Sequence, residues 1–282
     1  MKKNKKWKWL SLLVATIVLI SWIVWGNTAL EINEYQIKSN KIPDSFHGFR
    51  IAQVSDLHNT EIGAENVNLL EMLKNAKPDI IVITGDTIDS YHTDVAVSLK
   101  FVEKAVEIAP CYYVTGNHES RLSKEIYLDF EEKMKDYGVQ VLHDEAILIE
   151  KSGEYIALAG IDDPSFASGY WGIRYSNLSN HIKELFEEKN FKILLSHRPE
   201  LFSVYADADV DLVFSGHAHG GQFRLPFIGG FIAPHQGFFP KYDSGLYEEE
   251  GTHMLVSRGI GNSIFPFRFN NRPEVIVVEI MK

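Results

Sequence analysis

At 282 residues, with 45% hydrophobic and 23% charged side chains, the chain has an ordinary globular composition, neither disordered nor that of a polytopic membrane protein. Five lysines crowd the first eight residues, "MKKNKKWK", no acidic residue precedes Glu31, and the remaining 23 basic side chains face 38 acidic ones. A surface of that sign repels phosphate backbones, which argues against nucleic acid as a partner.

After the lysines, "WLSLLVATIVLISWIVWG" runs uncharged from Trp9 to Gly26. About 18 helical residues span roughly 27 Å, near the hydrocarbon thickness of a bilayer, and Trp7, Trp9, Trp22 and Trp25 suit its two interfaces. A retained membrane anchor is favoured over a cleaved signal peptide, because the apolar part is long and no Ala-x-Ala site follows it. The chain then divides into a cytoplasmic basic tail (1–8), a transmembrane signal-anchor (9–26), a linker with a lead-in strand (27–49) and a catalytic domain (50–282), with the lysines inside and the rest outside. The single cysteine, Cys111, rules out an intrachain disulfide and reads as a small buried hydrophobe.

"LEINEYQIKS" alternates like an edge strand. "RIAQVS", "DIIVIT" and "CYYVT" read as buried strands, interleaved with the amphipathic helices "AENVNLLEMLKNA", "DVAVSLKFVEKAVEI" and "SKEIYLDFEEKMKDYG". Ser123 is the expected N-cap of the last helix and Gly138 lies just past its end. Such alternation predicts a mostly parallel sheet with right-handed crossovers. The second half is richer in strands ("VQVL", "AILIE", "YIALAG", "FKILLS", "VDLVFS", "HMLVSR", "VIVVEI"), with helices near 178–189 and 199–206. Two sheets packed face to face with helices outside is the economical architecture.

Five apolar strands end in polar clusters: Asp56 and His58, Asp86, Asn117 with His118, His197, and His217 with His219. Ligands of open α/β sheets bind beyond the carboxyl ends of strands, so the five converge on one rim. Singly, each Asp or Asn is an ordinary cap or Asx turn. Capping, however, demands neither so many histidines nor the glycines that precede three clusters, Gly85, Gly116 and Gly216. Two carboxylates (Asp56, Asp86), one amide oxygen (Asn117) and four imidazoles (His58, His197, His217, His219) form a thiolate-free set suited to Zn, Mn or Fe. The set is too large for one tetrahedral ion and suits two divalent metal ions sharing a carboxylate.

The motifs "SDLH", "TGD", "TGNHE", "LSH" and "SGHAH", in that order, resemble those of the calcineurin-like metallophosphoesterases, and "GGQFRLP", "VSRGIG" and "NRPEV" are similar to its bacterial membrane-anchored branch. The resemblance implies an α/β, four-layer αββα sandwich: two packed mixed β-sheets flanked by helices, preceded by one N-terminal transmembrane helix. It also implies that Asp56, His58 and His219 bind one metal and Asn117, His197 and His217 the other, with Asp86 bridging. A hydroxide shared by the ions would attack phosphorus, and His118 would stabilise charge or protonate the leaving oxygen.

The function implied is hydrolysis of a phosphodiester or pyrophosphate-type bond; the alternatives are a phosphomonoesterase or nucleotidase, and a non-catalytic scaffold on the same fold. "LPFIGGFIAPHQGFFPKY", from Leu225 to Tyr242, reads equally as a loop packed on the core or as a hydrophobic surface for bilayer or substrate contact. On the second reading the phosphate-ester substrate is lipid-linked or another envelope diester. No obligate protein partner is evident. Arg224, Arg258 and Arg268 are candidates for phosphate contacts or ordinary ion pairs, and His235 alone of the remaining histidines falls near the rim.

Overall fold

The computed structural model describes residues 3–166, 178–186, 190–262 and 265–282. In chain order the elements are α1 (Lys3–Thr28), β1 (Glu31–Lys38), β2 (Phe49–Val54), α2 (Val67–Ala76), β3 (Ile80–Thr84), α3 (Val95–Ala105), β4 (Cys111–Val114), α4 (Lys124–Asp136) and β5 (Gln140–Val141). There follow β6 (Glu145–Lys151), β7 (Glu154–Gly160), α5 (Leu178–Leu185), β8 (Lys192–Leu195), α6 (Phe202–Asp207), β9 (Leu212–Ser215), four two-residue strands, β10 (Arg224–Leu225), β11 (Gly229–Gly230), β12 (Ile232–Ala233) and β13 (Gly237–Phe238), then β14 (Gly245–Glu249), β15 (Thr252–Val256) and β16 (Glu274–Met281). The helix expected near 178–189 ends at Leu185, and residues 187–189 lie outside the described residues.

Two six-stranded mixed sheets result, ordered β1-β16-β2-β3-β4-β5 and β14-β15-β9-β8-β7-β6. Strands β2 to β5 are parallel, and the last strand of the chain inserts between β1 and β2, antiparallel to β2 and parallel to β1. In the second sheet β7, β8, β9 and β15 are parallel, while β6 and β14 close the edges antiparallel. The lead-in strand β1 pairs along its whole length with β16, over Glu31 to Lys38.

Strand periodicity explains the layers. In β3, Ile80 and Val82 face the second sheet while Ile81 and Ile83 face the helices; in β8 and β9, Ile193, Leu195, Leu212 and Phe214 face inward and Leu194 and Val213 outward. The inter-sheet core joins Ile51, Val114 and Val278 of one sheet to Ile156, Leu158 and Leu255 of the other. Helices α2, α3 and α4 cover the first sheet through Leu69, Leu73, Phe101, Val102, Phe130 and Met134. Helices α5 and α6 cover the second through Ile182, Phe202 and Tyr205. This is the four-layer αββα arrangement.

Local signals act as expected. Ser123 Oγ accepts from the Ile126 amide at 3.3 Å and caps α4, and Asp94 Oδ1 accepts from Ala96 at 3.1 Å and caps α3. The buried face of α3 comprises Ser98, Leu99, Phe101, Val102 and Ala105, with Val95 and Val106 partly buried beside it. Strand β14 has no clear apolar run because it is an edge strand whose alternate side chains face solvent.

His143 ties α4 to the end of β7. Its Nδ1 lies 3.0 Å from Asp162 Oδ1 and its Nε2 3.2 Å from Glu131 Oε2. Burial alone would lower its pKa, but Asp162 and Glu131 raise it to about 10. Burial likewise opposes the ionised Glu131, yet His143 and Lys135 bring it down to about 2. The His143 contribution to stability is therefore fully present below its unfolded pKa near 6.5 and lost as pH rises through about 10. The Glu131 contribution is present above 4.5 and lost as pH falls toward about 2.

Thermal unfolding of His143→Gln and wild type should thus differ most at pH 6 and converge as the pH approaches 10; a constant gap would show that the ring acts only by packing. Cys111 is 1% exposed and burial pushes its thiol up to about 12, so the native chain should resist maleimide and react only after denaturation. Rapid native labelling, followed by mass spectrometry, would contradict that burial.

Candidate metal centre

All five polar clusters lie at the carboxyl ends of parallel strands: β2 (Asp56, His58), β3 (Asp86), β4 (Asn117, His118), β8 (His197) and β9 (His217, His219). The first three strands belong to one sheet and the last two to the other. The rim is therefore where the two sheets meet in polar chemistry.

Two donor groups form there. In one, His58 Nε2 and His219 Nε2 lie 3.2 Å apart, and His219 Nε2 is 3.4 Å and His58 Nε2 3.9 Å from Asp56 Oδ1. In the other, His197 Nε2 is 3.1 Å from His217 Nδ1 and 3.2 Å from Asp86 Oδ2. Asp86 Oδ2 is also 3.6 Å from His58 Nε2, so one carboxylate oxygen faces both groups. Asp86 Oδ1 accepts from the His118 amide at 2.8 Å, which draws in the loop that carries Asn117.

The electrostatics suit a cation. Burial lowers His58 to about 3 and takes His217 and His219 well below the usual range, so these rings stay neutral, the form that offers a lone pair to a metal. Burial alone would raise Asp86, but the adjoining His197 holds it well below the usual carboxylate range. Burial raises Asp56 to about 6. Burial would lower His197, but Asp86 raises it to about 10; Nδ1 donates to the Thr84 carbonyl at 2.8 Å, so the proton that a metal would displace is the one on Nε2, which faces Asp86 Oδ2 at 3.2 Å. The Asn117 side-chain oxygen is buried without a hydrogen-bond partner among the described residues. Buried acceptors left unpaired are costly, and a divalent cation would satisfy them. The residues fit the two metal ions expected.

Backbone conformation pays for this convergence. Asp56, His58, Asp86, His217 and His219 all have φ between 44° and 67°, in the left-handed region. Such strain costs on the order of 1 kcal/mol each and persists only where the surroundings impose it. Gly116 and Gly216 are required for close approach: a Cβ on Gly116 would strike Asp86, and one on Gly216 would strike Ser55 Oγ and Asp56 Oδ2.

Three residues without an expected role complete the site. Glu119 is fully buried, and its carboxylate accepts from the amides of Asp86, Thr87, Ile88 and Gly116 at 2.8 to 3.3 Å, knotting the loops after β3 and β4 together. Arg198 is buried by a two-toothed pair with Asp163 at 2.5 and 2.8 Å and brings Nη1 to 3.1 Å from His217 Nε2. Arg121 Nη1 is 3.3 Å from His118 Nε2. The only sequence signal for them was adjacency, Glu119 and Arg121 following His118 and Arg198 following His197.

His118 accepts from the Ser90 amide through Nδ1 at 3.0 Å and turns Nε2 toward the centre, 4.0 Å from Asp86 Oδ2. His235 reaches the site as well: its Nδ1 is 2.9 Å from His217 Nε2 and the rings stack. The three arginines suggested for phosphate contact are engaged elsewhere. Arg224 pairs with Asp243, Arg258 with Glu274, and Arg268 is buried with its guanidinium donating to backbone carbonyls.

Comparison with known proteins accords with this geometry. The family model for calcineurin-like phosphoesterases matches residues 49–221, from the first residue of β2 to just beyond His219. The chain is 34% identical over 256 residues to an uncharacterized metallophosphoesterase of Bacillus subtilis strain 168, YkuE, covering 88% of this chain and 84% of that protein. It is 27% identical over 242 residues to the phosphodiesterase YaeI of Escherichia coli K12, covering 84% of each. Among solved structures it resembles the sulfate thiohydrolase SoxB of Thermus thermophilus in fold, with a TM-score of 0.53 at 12% identity, over 85% of this chain and 57% of that one. The chain belongs to the calcineurin-like phosphoesterase family and is a metal-dependent phosphoric ester hydrolase.

Proposed function

We propose that the protein is a membrane-anchored phosphodiesterase with two divalent cations. Asp56, His58 and His219 hold one, Asn117, His197 and His217 hold the other, and Asp86 is shared. The observation that carries this reading is Asp86 Oδ2, 3.6 Å from the ring of one donor group and 3.2 Å from the ring of the other. The nitrogen and oxygen donor set, free of thiolate, suits Zn, Mn or Fe. When bound, two such cations lower the pKa of a water and neutralise the phosphoryl oxygens.

The chain's own residues then have separable tasks. His118, whose Nε2 faces Asp86 Oδ2, would stabilise charge or pass a proton to the leaving oxygen. Arg121 beside it adds positive charge for a developing anion. Glu119 holds the Asp86 and Gly116 amides at fixed spacing. The preference for diesters is supported by the phosphodiesterase relative.

The anchor reading is supported by α1, long and apolar enough to cross a membrane, and by a Danio rerio relative named as a transmembrane protein with a metallophosphoesterase domain, 26% identical over 281 residues, 94% of this chain and 61% of that protein. The lysine-rich start faces the cytoplasm and the catalytic domain the outside.

The purified full chain should hold about two equivalents of metal and cleave bis-nitrophenyl phosphate faster than nitrophenyl phosphate. Asp86→Asn and His217→Ala should each lose metal and lower turnover on the order of 100-fold or more. Faster monoester cleavage would point to a monoesterase or nucleotidase; traces of metal with both variants unaffected would point to the scaffold. In intact cells, added protease should reach the domain after Asn27, and its complete protection would overturn the topology.

A further inference from the structure

We propose that the aromatic loops at residues 223–239 and 265–269 form a second contact with the bilayer, holding the catalytic domain against the leaflet from which α1 emerges. The inference rests on the membrane reading of α1 and concerns where the domain lies once anchored.

The first observation is exposure. Phe227 is fully exposed at the tip between β10 and β11, and Ile228, Phe238 and Phe239 are each more than half exposed. Phe265, Phe267 and Phe269 also open to solvent. Phe227 and Phe239 additionally sit at φ of 66° and 54°, a costly conformation for bulky side chains. Contiguous apolar surface of this kind marks an interaction site.

The second is continuity with the anchor. The last turn of α1 is bonded to the same loops: Asn27 donates to the Arg268 carbonyl at 3.0 Å and accepts from its amide at 2.7 Å. Arg272 lies 4.8 Å from the Trp25 ring, and Trp22 and Trp25 are exposed beside it. From there the aromatics connect in sequence. Phe223 packs on Phe265 and Phe267 at 5.4 and 5.5 Å, the Phe231 amide donates to the Phe223 carbonyl at 2.8 Å, and Phe231 packs on Phe238 and Phe239 at 5.3 and 5.5 Å. A surface that begins where a membrane helix ends meets the interface first.

The third is charge. Although the protein carries 38 acidic residues, none occurs from Ser215 to Tyr242 or from Ser257 to Pro273, while Arg224, Lys241, Arg258, Arg268 and Arg272 do. Lys241 is exposed at the edge of the patch, 3.8 Å from the Glu249 carboxylate. Arg224 is paired with Asp243, Arg258 with Glu274 and Arg272 with Glu31, and Arg268 is buried, so the aromatic face is close to neutral and can meet an anionic leaflet from which the acidic protein surface elsewhere would be repelled.

This contact would bear on the metal centre, because the turn between β12 and β13 carries His235 against His217 and is followed directly by Phe238 and Phe239. Seating the loops on lipid brings that side of the centre toward phosphate esters held in the bilayer.

The test uses the full chain in vesicles of phosphatidylethanolamine and phosphatidylglycerol. Single cysteines at F227C, F238C, E150C and L13C carry an environment-sensitive fluorophore, with Cys111 left in place because it is buried. Labels at 227 and 238 should be quenched by spin-labelled lipid and shielded from aqueous iodide, whereas the label at 150, on exposed β6, should show the opposite. Iodide quenching at 227 and 238 equal to that at 150, with lipid quenching intact at 13, would overturn the loop contact and leave the anchor standing. Absence of lipid quenching at 13 would overturn the anchor reading and this inference with it. Shielding at 227 and 238 without lipid quenching would assign the surface to a second protein copy, and so refute a bilayer contact.

Discussion

Asp86 accepts the His118 amide through one carboxylate oxygen and turns the other toward His58 and His197, which come from different sheets. The two sheets are held together mainly by apolar packing, which is strong but not directional. Their register at the rim depends on a few buried polar bonds. The His217 amide reaches across to Asp56, His197 Nδ1 to the Thr84 carbonyl, and Gln53 Nε2 bridges Thr84 Oγ1 and the Ser215 carbonyl at 2.9 and 2.8 Å. Each of these bonds lies where burial makes an unpaired group costly, so each resists sliding of one sheet over the other. The same contacts that align the sandwich bring the two donor groups into reach of one carboxylate.

That arrangement needs backbone where side chains would ordinarily stand. Gly116 touches Asp86 and Gly216 touches Ser55 and Asp56, so neither position has room for a Cβ. Glu119 supports this tight packing from beneath by accepting four amides, and burial, with the neighbouring charge of Asp86, raises it to about 7. The strained residues around it are held by their neighbours, which is the usual condition for a preorganised site.

Most of the fold and the residues that gather at the rim were legible in the chain because they rest on short-range regularities. Period-two apolar runs marked the buried strands, helical stripes marked α2 to α4, and each candidate donor falls in the loop that follows a strand. What stayed hidden depends on contacts distant in sequence. Arg198 looks like one more surface cation until Asp163, 35 residues away, buries it against His217. His143 becomes an ionic tie only when α4 and the end of β7 meet around it. Edge strand β14 has too little apolar character to announce itself, and the ends of α1 and the Arg268 loop are bonded across 241 residues.

By itself the sequence determined the inventory: an apolar N-terminal helix, strands that bury both faces, and a set of carboxylate, amide and imidazole donors placed after them. Those follow from hydrophobic periodicity and residue chemistry, which act locally. Tertiary structure alone decided that β16 would return between β1 and β2, that Arg198 would be buried against His217, and that the exposed phenylalanines would gather where α1 ends. The reason is that pairing register and the packing of one sheet on the other are collective outcomes of the whole core, and no short stretch of residues carries them.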